Sequence, residues 1–209
     1  MGRMRGIEER PAGLHHQPEL LDTAAEQALL ARIRPLTFDE VRMHGQVARR
    51  TVRHYGMGYE FSSGAVTPGE PIPDWLLAVR AASATLAGLA AEDLVEVLVT
   101  RYPPGAGIGW HRDAPAFGDV VGVSLASSCA LRFQRGTGDE RRVFELLAAP
   151  RSAYVLTGPA RTTWQHSIPA VAEERYSITF RTVRRHCTAH TAAHAPGVTP
   201  AHAPGVTPG

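Results

Sequence analysis

The second half of the chain breaks into short apolar or alternating runs, each ended by turn residues. These runs cover residues 94–102, 120–125, 130–134, 143–147, 153–157 and 176–183. Strands of a sandwich or barrel have this length and spacing, whereas alternating β-α units would place helical patterns between the runs. The sequence therefore predicts an all-β core.

Two helices are predicted before these strands. Residues 20–33 carry apolar side chains at helical spacing, and Thr23 with Glu26 resembles a capping box. Asp74 is a plausible N-cap for a second helix that runs through Ala87. The expected order is helices first and strands afterwards, which makes the fold class α+β with N-terminal helices flanking the β core.

The length predicts a single catalytic domain. A chain of 209 residues with 44% hydrophobic content can bury one good core and is short for two. Residues 1–19 are rich in proline and glycine and predict a flexible leader, and residues 20–185 form the expected domain. Residues 186–209 repeat Ala-His-Ala-Pro-Gly-Val-Thr-Pro twice, a composition typical of a disordered tail.

The apolar pattern and the cysteine content indicate the cellular compartment in which the protein works. No run of about 18 apolar residues suggests a membrane span, and the first residues lack the apolar stretch of a signal peptide. The two cysteines, Cys129 and Cys187, have no C-x-x-C spacing, so neither a disulfide framework nor a zinc cluster is indicated. We expect a cytoplasmic monomer with no membrane partner.

The most informative short motif is His111-Arg-Asp113. Side chains two positions apart on a strand point the same way, so an imidazole and a carboxylate would face one ligand. With His166 as a second histidine, the set becomes a 2-His-1-carboxylate triad, which binds Fe(II) and leaves coordination positions open. An isolated H-x-D pair is more often a surface hydrogen bond or salt bridge than a metal site. The residues around it must therefore decide between these two interpretations.

Two arginines bracket the last predicted strand. Their even separation puts four side chains on one face: Arg175, Ser177, Thr179 and Arg181. The other face carries Tyr176, Ile178 and Phe180. Arginines on an inward face need an anionic partner, which a dicarboxylic acid held by two guanidinium groups would supply. The alternative is an edge strand whose arginines face solvent.

At this point the chain resembles the AlkB family of Fe(II)- and 2-oxoglutarate-dependent dioxygenases. The resemblance covers roughly residues 50 to 183 and rests on motifs in a specific order: Arg-Tyr-Pro-Pro-Gly at 101–105, His-Arg-Asp at 111–113, Val-Gly-Val-Ser-Leu at 121–125, Trp-Gln-His-Ser-Ile-Pro at 164–169, and Arg-Tyr-Ser-Ile-Thr-Phe-Arg at 175–181. It implies a double-stranded β-helix, or jelly-roll, fold.

The resemblance also implies the catalytic centre. His111, Asp113 and His166 would be the catalytic residues and metal ligands for Fe(2+), with 2-oxoglutarate and O2 as cosubstrates. Oxidative decarboxylation of 2-oxoglutarate would give succinate and CO2, with hydroxylation of the substrate. On an N-methylated base, the hydroxylated methyl group would leave as formaldehyde.

Five residues are implied as the cosubstrate site. Tyr102 and Arg175 would bind the distal carboxylate of 2-oxoglutarate, while Arg181 and Ser177 would hold the end that chelates iron. Thr100 stands where the family commonly has asparagine, which puts that contact in question.

The implied partner is alkylated or modified DNA or RNA. Residues 49–61 match the region that family members use as a nucleotide-recognition lid, with Arg53, Tyr55 and Tyr59 as candidate substrate-binding residues. Residues 42–54 add a basic patch without an acidic residue, which can attract phosphates. Alternatively, the tyrosines cover the core and the charges form a solvated face. The favoured function is oxidative demethylation of alkylated bases, a nucleic acid repair reaction.

One departure leaves other functions open. Where the prototype repair enzyme continues the iron motif with acidic residues, this chain has Ala114, Pro115 and Ala116. The run at 116–119, Ala-Phe-Gly-Asp, instead resembles AlkB-type domains that hydroxylate modified wobble uridines in transfer RNA, and some relatives act on proteins or lipids. A catalytically silent binding module is a third hypothesis, against which the intact triad argues.

Overall fold

The computed structural model describes residues 6–43, 46–60 and 65–184. Within these ranges the helices are α1 (Thr23–Ile33), α2 (Leu77–Ala87) and α3 (Gly158–Thr162). The strands are β1 (Ile7–Glu8), β2 (Leu14–Gln17), β3 (Asp39–Met43), β4 (Gln46–Glu60), β5 (Ala65–Pro68), β6 (Glu96–Tyr102), β7 (Ile108–His111), β8 (Phe117–Leu125), β9 (Cys129–Arg135), β10 (Arg142–Ala148), β11 (Ala153–Leu156), β12 (Gln165–Ile168) and β13 (Arg175–Val183). No helix in the described ranges has the length and apolar character needed to cross a membrane.

The strands form two sheets. The larger sheet has the order β2-β11-β8-β13-β6-β4-β3, with β5 paired to β4. The smaller sheet has the order β1-β10-β9-β12-β7. The predicted all-β core with flanking helices is confirmed.

Two apolar clusters explain this arrangement. One packs α1 and α2 against one face of the larger sheet, where Val97, Val121 and Ile178 lie. The other fills the space between the two sheets and includes Tyr102 of the larger sheet and Phe133 of the smaller one. The larger sheet is therefore covered on both faces, which excludes water from the space that faces the smaller sheet.

The two predicted helices exist, but their first turns differ from expectation. Asp22, rather than Thr23, caps α1: its carboxylate accepts a hydrogen bond from the backbone N–H of Ala25 at 2.7 Å. Asp74 is not the N-cap of α2, since it opens a short 3-10 turn that precedes this helix. The predicted end at Ala87 is confirmed, and the chain leaves the helix through Gly88 in the left-handed conformation.

The strand that carries the arginines is central, not at an edge. β13 pairs with β6 on one side and β8 on the other, and the side chain of Arg175 is 0% exposed. Tyr176, Ile178 and Phe180 pack in the helix-covered cluster, as their alternation predicts. The alternative of an edge strand with solvent-facing arginines is therefore wrong.

Several strands lie where none was expected. The long strand β4 and its partner β3 separate α1 from α2, so the expected order of helices first and strands afterwards is wrong. Arginines along β4 obscure its alternation, because one side of it is exposed. The strands β7 and β12 have four residues each and carry polar side chains, so they show no apolar run.

Part of the predicted leader lies in the sheets. Residues 14–17 form β2, which pairs antiparallel with β11, and Leu14 is only 4% exposed. The proline and glycine content misleads here because a single buried leucine and the backbone pairing hold the segment. The predicted tail at 186–209 and His44 of the basic patch lie outside the described residues.

Candidate active site

The predicted triad comes together at the end of the smaller sheet. His111 is the last residue of β7 and lies directly opposite His166 of β12, with ring centroids 4.2 Å apart. Asp113 lies beyond the end of β7, and its Oδ2 is 3.6 Å from Nε2 of His166. The expectation that His111 and Asp113 share one strand is not met, yet the turn after β7 still places the Asp113 carboxylate beside His166, which in turn adjoins His111.

Burial sets the protonation of these side chains. It lowers the pKa of His166 to about 4, although the neighbouring Asp113 carboxylate opposes the shift. Burial likewise lowers the pKa of His111. For Asp113, burial acts to raise the pKa, but attraction from Arg181, His166 and Arg161 outweighs it and leaves the pKa below its usual range. At neutral pH, His111 and His166 are therefore neutral and Asp113 is ionised.

This donor set fits a ferrous ion. Two neutral imidazoles and one carboxylate match the facial set that Fe(II) takes, and Oδ2 of Asp113 is buried without a hydrogen-bond partner. Nδ1 of His111 lies 2.9 Å from the carbonyl of Gly109, which orients the ring as a metal-bound histidine needs. Among the described residues no three such side chains already converge as metal ligands, so a bound ion would draw them closer.

Arg175 is the second notable feature. Its Nε donates a hydrogen bond to Oγ of Ser124 at 3.1 Å, and its guanidinium lies 5.1 Å from the ring centroid of Tyr102. Nη1 and Nη2 are buried without a hydrogen-bond partner. A buried guanidinium with two free nitrogens is costly unless an anion pairs with it. The arrangement therefore fits a bound carboxylate.

The other predicted cosubstrate residues line the same face. Tyr102 lies directly opposite Arg175, and Thr100 directly opposite Ser177, on the paired strands β6 and β13. All four side chains are buried. The structure thus gathers the predicted cosubstrate residues on the sheet face that the smaller sheet covers.

Arg181 lies closest to the triad and has two anionic partners. Its Nε and Nη2 donate to Oδ1 of Asp113 at 2.9 and 2.7 Å, and its Nη1 donates to Oε2 of Glu96 at 2.8 Å. Arg181 therefore orients the carboxylate predicted to bind iron, while its contact with the cosubstrate stays a prediction. Sequence reasoning missed Glu96, although it faces Arg181 once β6 and β13 are placed in register.

The loop after Asp113 is held by a residue that sequence reasoning also missed. Arg161 of α3 is buried and donates to the carbonyls of Ala114, Phe117 and Gly118 at 2.7, 2.9 and 2.9 Å. Three backbone acceptors fix this loop beside the triad. No local signal marks Arg161, because its partners are main-chain atoms.

The predicted substrate residues do not gather in the same way. Tyr55 is 4% exposed and packs edge-on against Trp75 in the helix-covered core, so it covers the core rather than facing a substrate. Arg53 is partly exposed, lies over the Tyr55 ring and pairs with Glu70. The side chain of Tyr59 lies outside the described part of the structure.

Known proteins resemble the chain over most of its length. The 2OG-Fe(II) oxygenase superfamily matches residues 14–181. The tRNA (carboxymethyluridine(34)-5-O)-methyltransferase ALKBH8 of Mus musculus is 29% identical over 172 residues, covering 78% of this chain and 25% of that protein. The alkylated DNA repair protein ALKBH8 homolog of Arabidopsis thaliana is 30% identical over 213 residues, covering 83% of this chain and 59% of that protein. The chain thus spans less than two thirds of either relative.

A solved structure confirms the fold. OsALKBH1 superposes with a TM-score of 0.61 at 14% identity, covering 83% of this chain and 98% of that one. The expected double-stranded β-helix is therefore confirmed. The superfamily match and the ALKBH relatives show that the chain belongs to the AlkB family of Fe(II)- and 2-oxoglutarate-dependent dioxygenases, which use Fe(2+) as cofactor and 2-oxoglutarate and O2 as cosubstrates.

Proposed function

We propose that this dioxygenase oxidatively demethylates alkylated bases in DNA or RNA, releasing formaldehyde, succinate and CO2. The observation that carries the oxidative chemistry is the buried Arg175, whose two free nitrogens lie in the same inter-sheet space as the His111, Asp113 and His166 cluster. A dicarboxylate cosubstrate would pair with the Arg175 nitrogens, and a ferrous ion would bind the two histidines and the aspartate.

In this proposal, His111, Asp113 and His166 hold the iron. When bound, the iron centre supplies the oxidation of a substrate C–H bond, with 2-oxoglutarate decarboxylated to succinate and O2 providing the oxygen atoms. Arg181 keeps Asp113 oriented and ionised through its two hydrogen bonds to Oδ1. Burial keeps His166 neutral and therefore able to donate its lone pair.

The cosubstrate is held by the larger sheet. Arg175 pairs with the distal carboxylate through the nitrogens that lack a partner, and Tyr102 adjoins it. Ser177 and Thr100 lie opposite each other between Arg175 and Arg181, where they would border the bound cosubstrate, with Ser177 and Arg181 toward its chelating end. The apolar cluster between the sheets excludes water, which protects the oxidant from unproductive reactions.

A nucleic acid substrate is supported by the charges along β4. Arg50 lies within electrostatic range of both Tyr102 and His111, so this strand lies beside the proposed centre. Arg49 lies against Gly105 in the loop after β6, and Arg53 follows on the same strand. Guanidinium groups suit phosphate contacts, and a base reaches such a site from a single strand or after flipping. The Arabidopsis relative is named an alkylated DNA repair protein.

The test is formaldehyde release from methylated oligonucleotides with Fe(II), 2-oxoglutarate and O2. We expect release from at least one member of a panel of N-methylated DNA and RNA oligonucleotides, with equimolar succinate. Asp113→Ala should abolish both products. Succinate formation by the unaltered protein without formaldehyde from any member of the panel would contradict demethylation and leave the dioxygenase chemistry intact.

A second candidate function is hydroxylation of a modified RNA nucleoside. Arg161 fixes the Ala114–Gly118 loop, and this loop offers no acidic side chain to read the amino group of an alkylated base. The mouse relative is named for a modified uridine of tRNA. Mass spectrometry of nucleosides from transfer RNA treated with the enzyme tests it: gain of one oxygen atom on a uridine derivative supports hydroxylation, and an unchanged profile opposes it.

A further inference from the structure

Tyr154 crosses the sheet face on which the proposed cosubstrate residues lie. It lies directly opposite Gly122 on the paired strands β11 and β8, and Gly122 in turn lies opposite Thr179 of β13. A Cβ atom at Gly122 would come within 2.2 Å of Cζ and 2.4 Å of Oη of Tyr154. The phenol therefore lies over the backbone of Gly122, with its hydroxyl directed from β11 toward β13.

The hydroxyl lies in the space between the two ends of the proposed cosubstrate site. The charged and polar groups that act on it electrostatically are Arg175, Tyr102 and Cys129 at one end and Asp113 at the other, with the effect of Arg175 the strongest. Tyr154 itself is buried in the inter-sheet cluster. Burial raises the pKa of Tyr154, so its hydroxyl stays a neutral donor.

A carboxylate beside Arg175 would still need donors. It offers about four lone-pair sites, and Arg175 supplies two nitrogens, because its Nε is already bonded to Ser124. The phenol is positioned to supply a further donor from the side opposite Tyr102, since β11 and β6 flank β8 and β13 on either side.

We propose that the Tyr154 hydroxyl donates a hydrogen bond to the distal carboxylate of 2-oxoglutarate, and that residue 122 is glycine because the phenol occupies the space of its side chain. This inference rests on the proposed function, since it assigns a further residue to the same cosubstrate site. It makes Tyr154 a cosubstrate-binding residue rather than a core filler.

The experiment measures binding rather than turnover. Protein loaded with Mn(II), without O2, is titrated calorimetrically with 2-oxoglutarate and with 2-oxobutyrate, which lacks the distal carboxylate. Tyr154→Phe should weaken 2-oxoglutarate binding about tenfold or more, as expected for a hydrogen bond to a charged group. Binding of 2-oxobutyrate should be unchanged. Tyr176→Phe removes a hydroxyl on the opposite face of the larger sheet and should change neither affinity.

The outcomes separate this inference from the proposed function. Equal 2-oxoglutarate affinity in the unaltered protein and Tyr154→Phe would overturn the inference alone. Equal weakening of both probes would also overturn it, because it would indicate a general disturbance of the pocket. If the unaltered Mn(II) protein bound no 2-oxoglutarate, the proposed function itself would fail. Gly122→Ala provides a second variant: with its fold verified by circular dichroism, displacement of the phenol should weaken 2-oxoglutarate selectively.

Discussion

Arg175 and Arg181 share one strand face, yet their electrostatic surroundings differ. Arg181 lies between two carboxylates, Asp113 and Glu96, and the attraction of both holds its pKa above the usual range although burial acts in the other direction. Among the described residues, Arg175 has only uncharged neighbours, the hydroxyl of Ser124, the ring of Tyr102, the thiol of Cys129 and the phenol of Tyr154, and its Nη1 and Nη2 lack hydrogen-bond partners. One arginine therefore contributes to folding, and the other holds a charge that the fold leaves uncompensated.

This difference predicts opposite effects of one substitution. Arg175→Met removes an unpaired buried charge, so we expect the ligand-free protein to gain about 1 to 4 kcal/mol of unfolding free energy. Arg181→Met removes the partner of two buried carboxylates and should cost about 3 to 5 kcal/mol. Urea unfolding of both variants measures the difference. A loss of stability in Arg175→Met as large as that in Arg181→Met would show that Arg175 is compensated in the ligand-free protein.

The sequence predicts these arginines well but not their neighbours. The alternation from Arg175 to Arg181 is a local pattern of period two, and β13 follows it in the structure. The sequence does not predict Glu96 and Tyr154 as site residues, because their roles depend on which strands are adjacent and in what register. Tyr55 is misassigned because its burial depends on helices that cover one face of β4, and no pattern within residues 49–61 reveals that face.

At the scale of elements, α1 contacts two turns of the larger sheet, one after β8 and one before β11. Glu26 of this helix is buried, accepts a hydrogen bond from the backbone of Ala126 at 2.9 Å, and pairs with Arg151 at 3.2 Å. Both partners have left-handed backbones, with φ of 70° and 68°. Such conformations are costly for residues other than glycine, and surrounding contacts must hold them. Ala126 follows the end of β8, the strand that supplies Ser124 to Arg175.

We therefore expect Glu26→Ala to destabilise the protein through these turns. The change leaves a backbone donor and a guanidinium without their acceptor, which costs about 1 to 3 kcal/mol. Thermal unfolding followed by circular dichroism measures it, with Gln27→Ala on the exposed side of the same helix as the control. If the two variants melt at the same temperature, α1 does not hold the turns through Glu26.

At the scale of the whole molecule, the proposed centre draws on both sheets. His111 and His166 belong to the smaller sheet, whereas Tyr102, Arg175 and Arg181 belong to the larger one. The contact between Arg181 and Asp113 already crosses this division. Family motifs identify the residues on each sheet, but only the packing of the sheets places the two sets together. A metal with its chelating cosubstrate would therefore join the two layers.

This bridging predicts that the two ligands stabilise the protein cooperatively. A ligand that binds only the folded state adds about 2.7 kcal/mol at a concentration 100 times its Kd. We expect Mn(II) to raise the melting temperature and 2-oxoglutarate to raise it further only when the metal is present, because the chelating end needs the ion. Arg175→Met should keep the increment from Mn(II) and lose that from 2-oxoglutarate, whereas His166→Ala should lose both. If 2-oxoglutarate raised the melting temperature equally with and without Mn(II), its site would lie away from the histidines. A dicarboxylate bound by the larger sheet alone would not depend on a metal held by the smaller sheet.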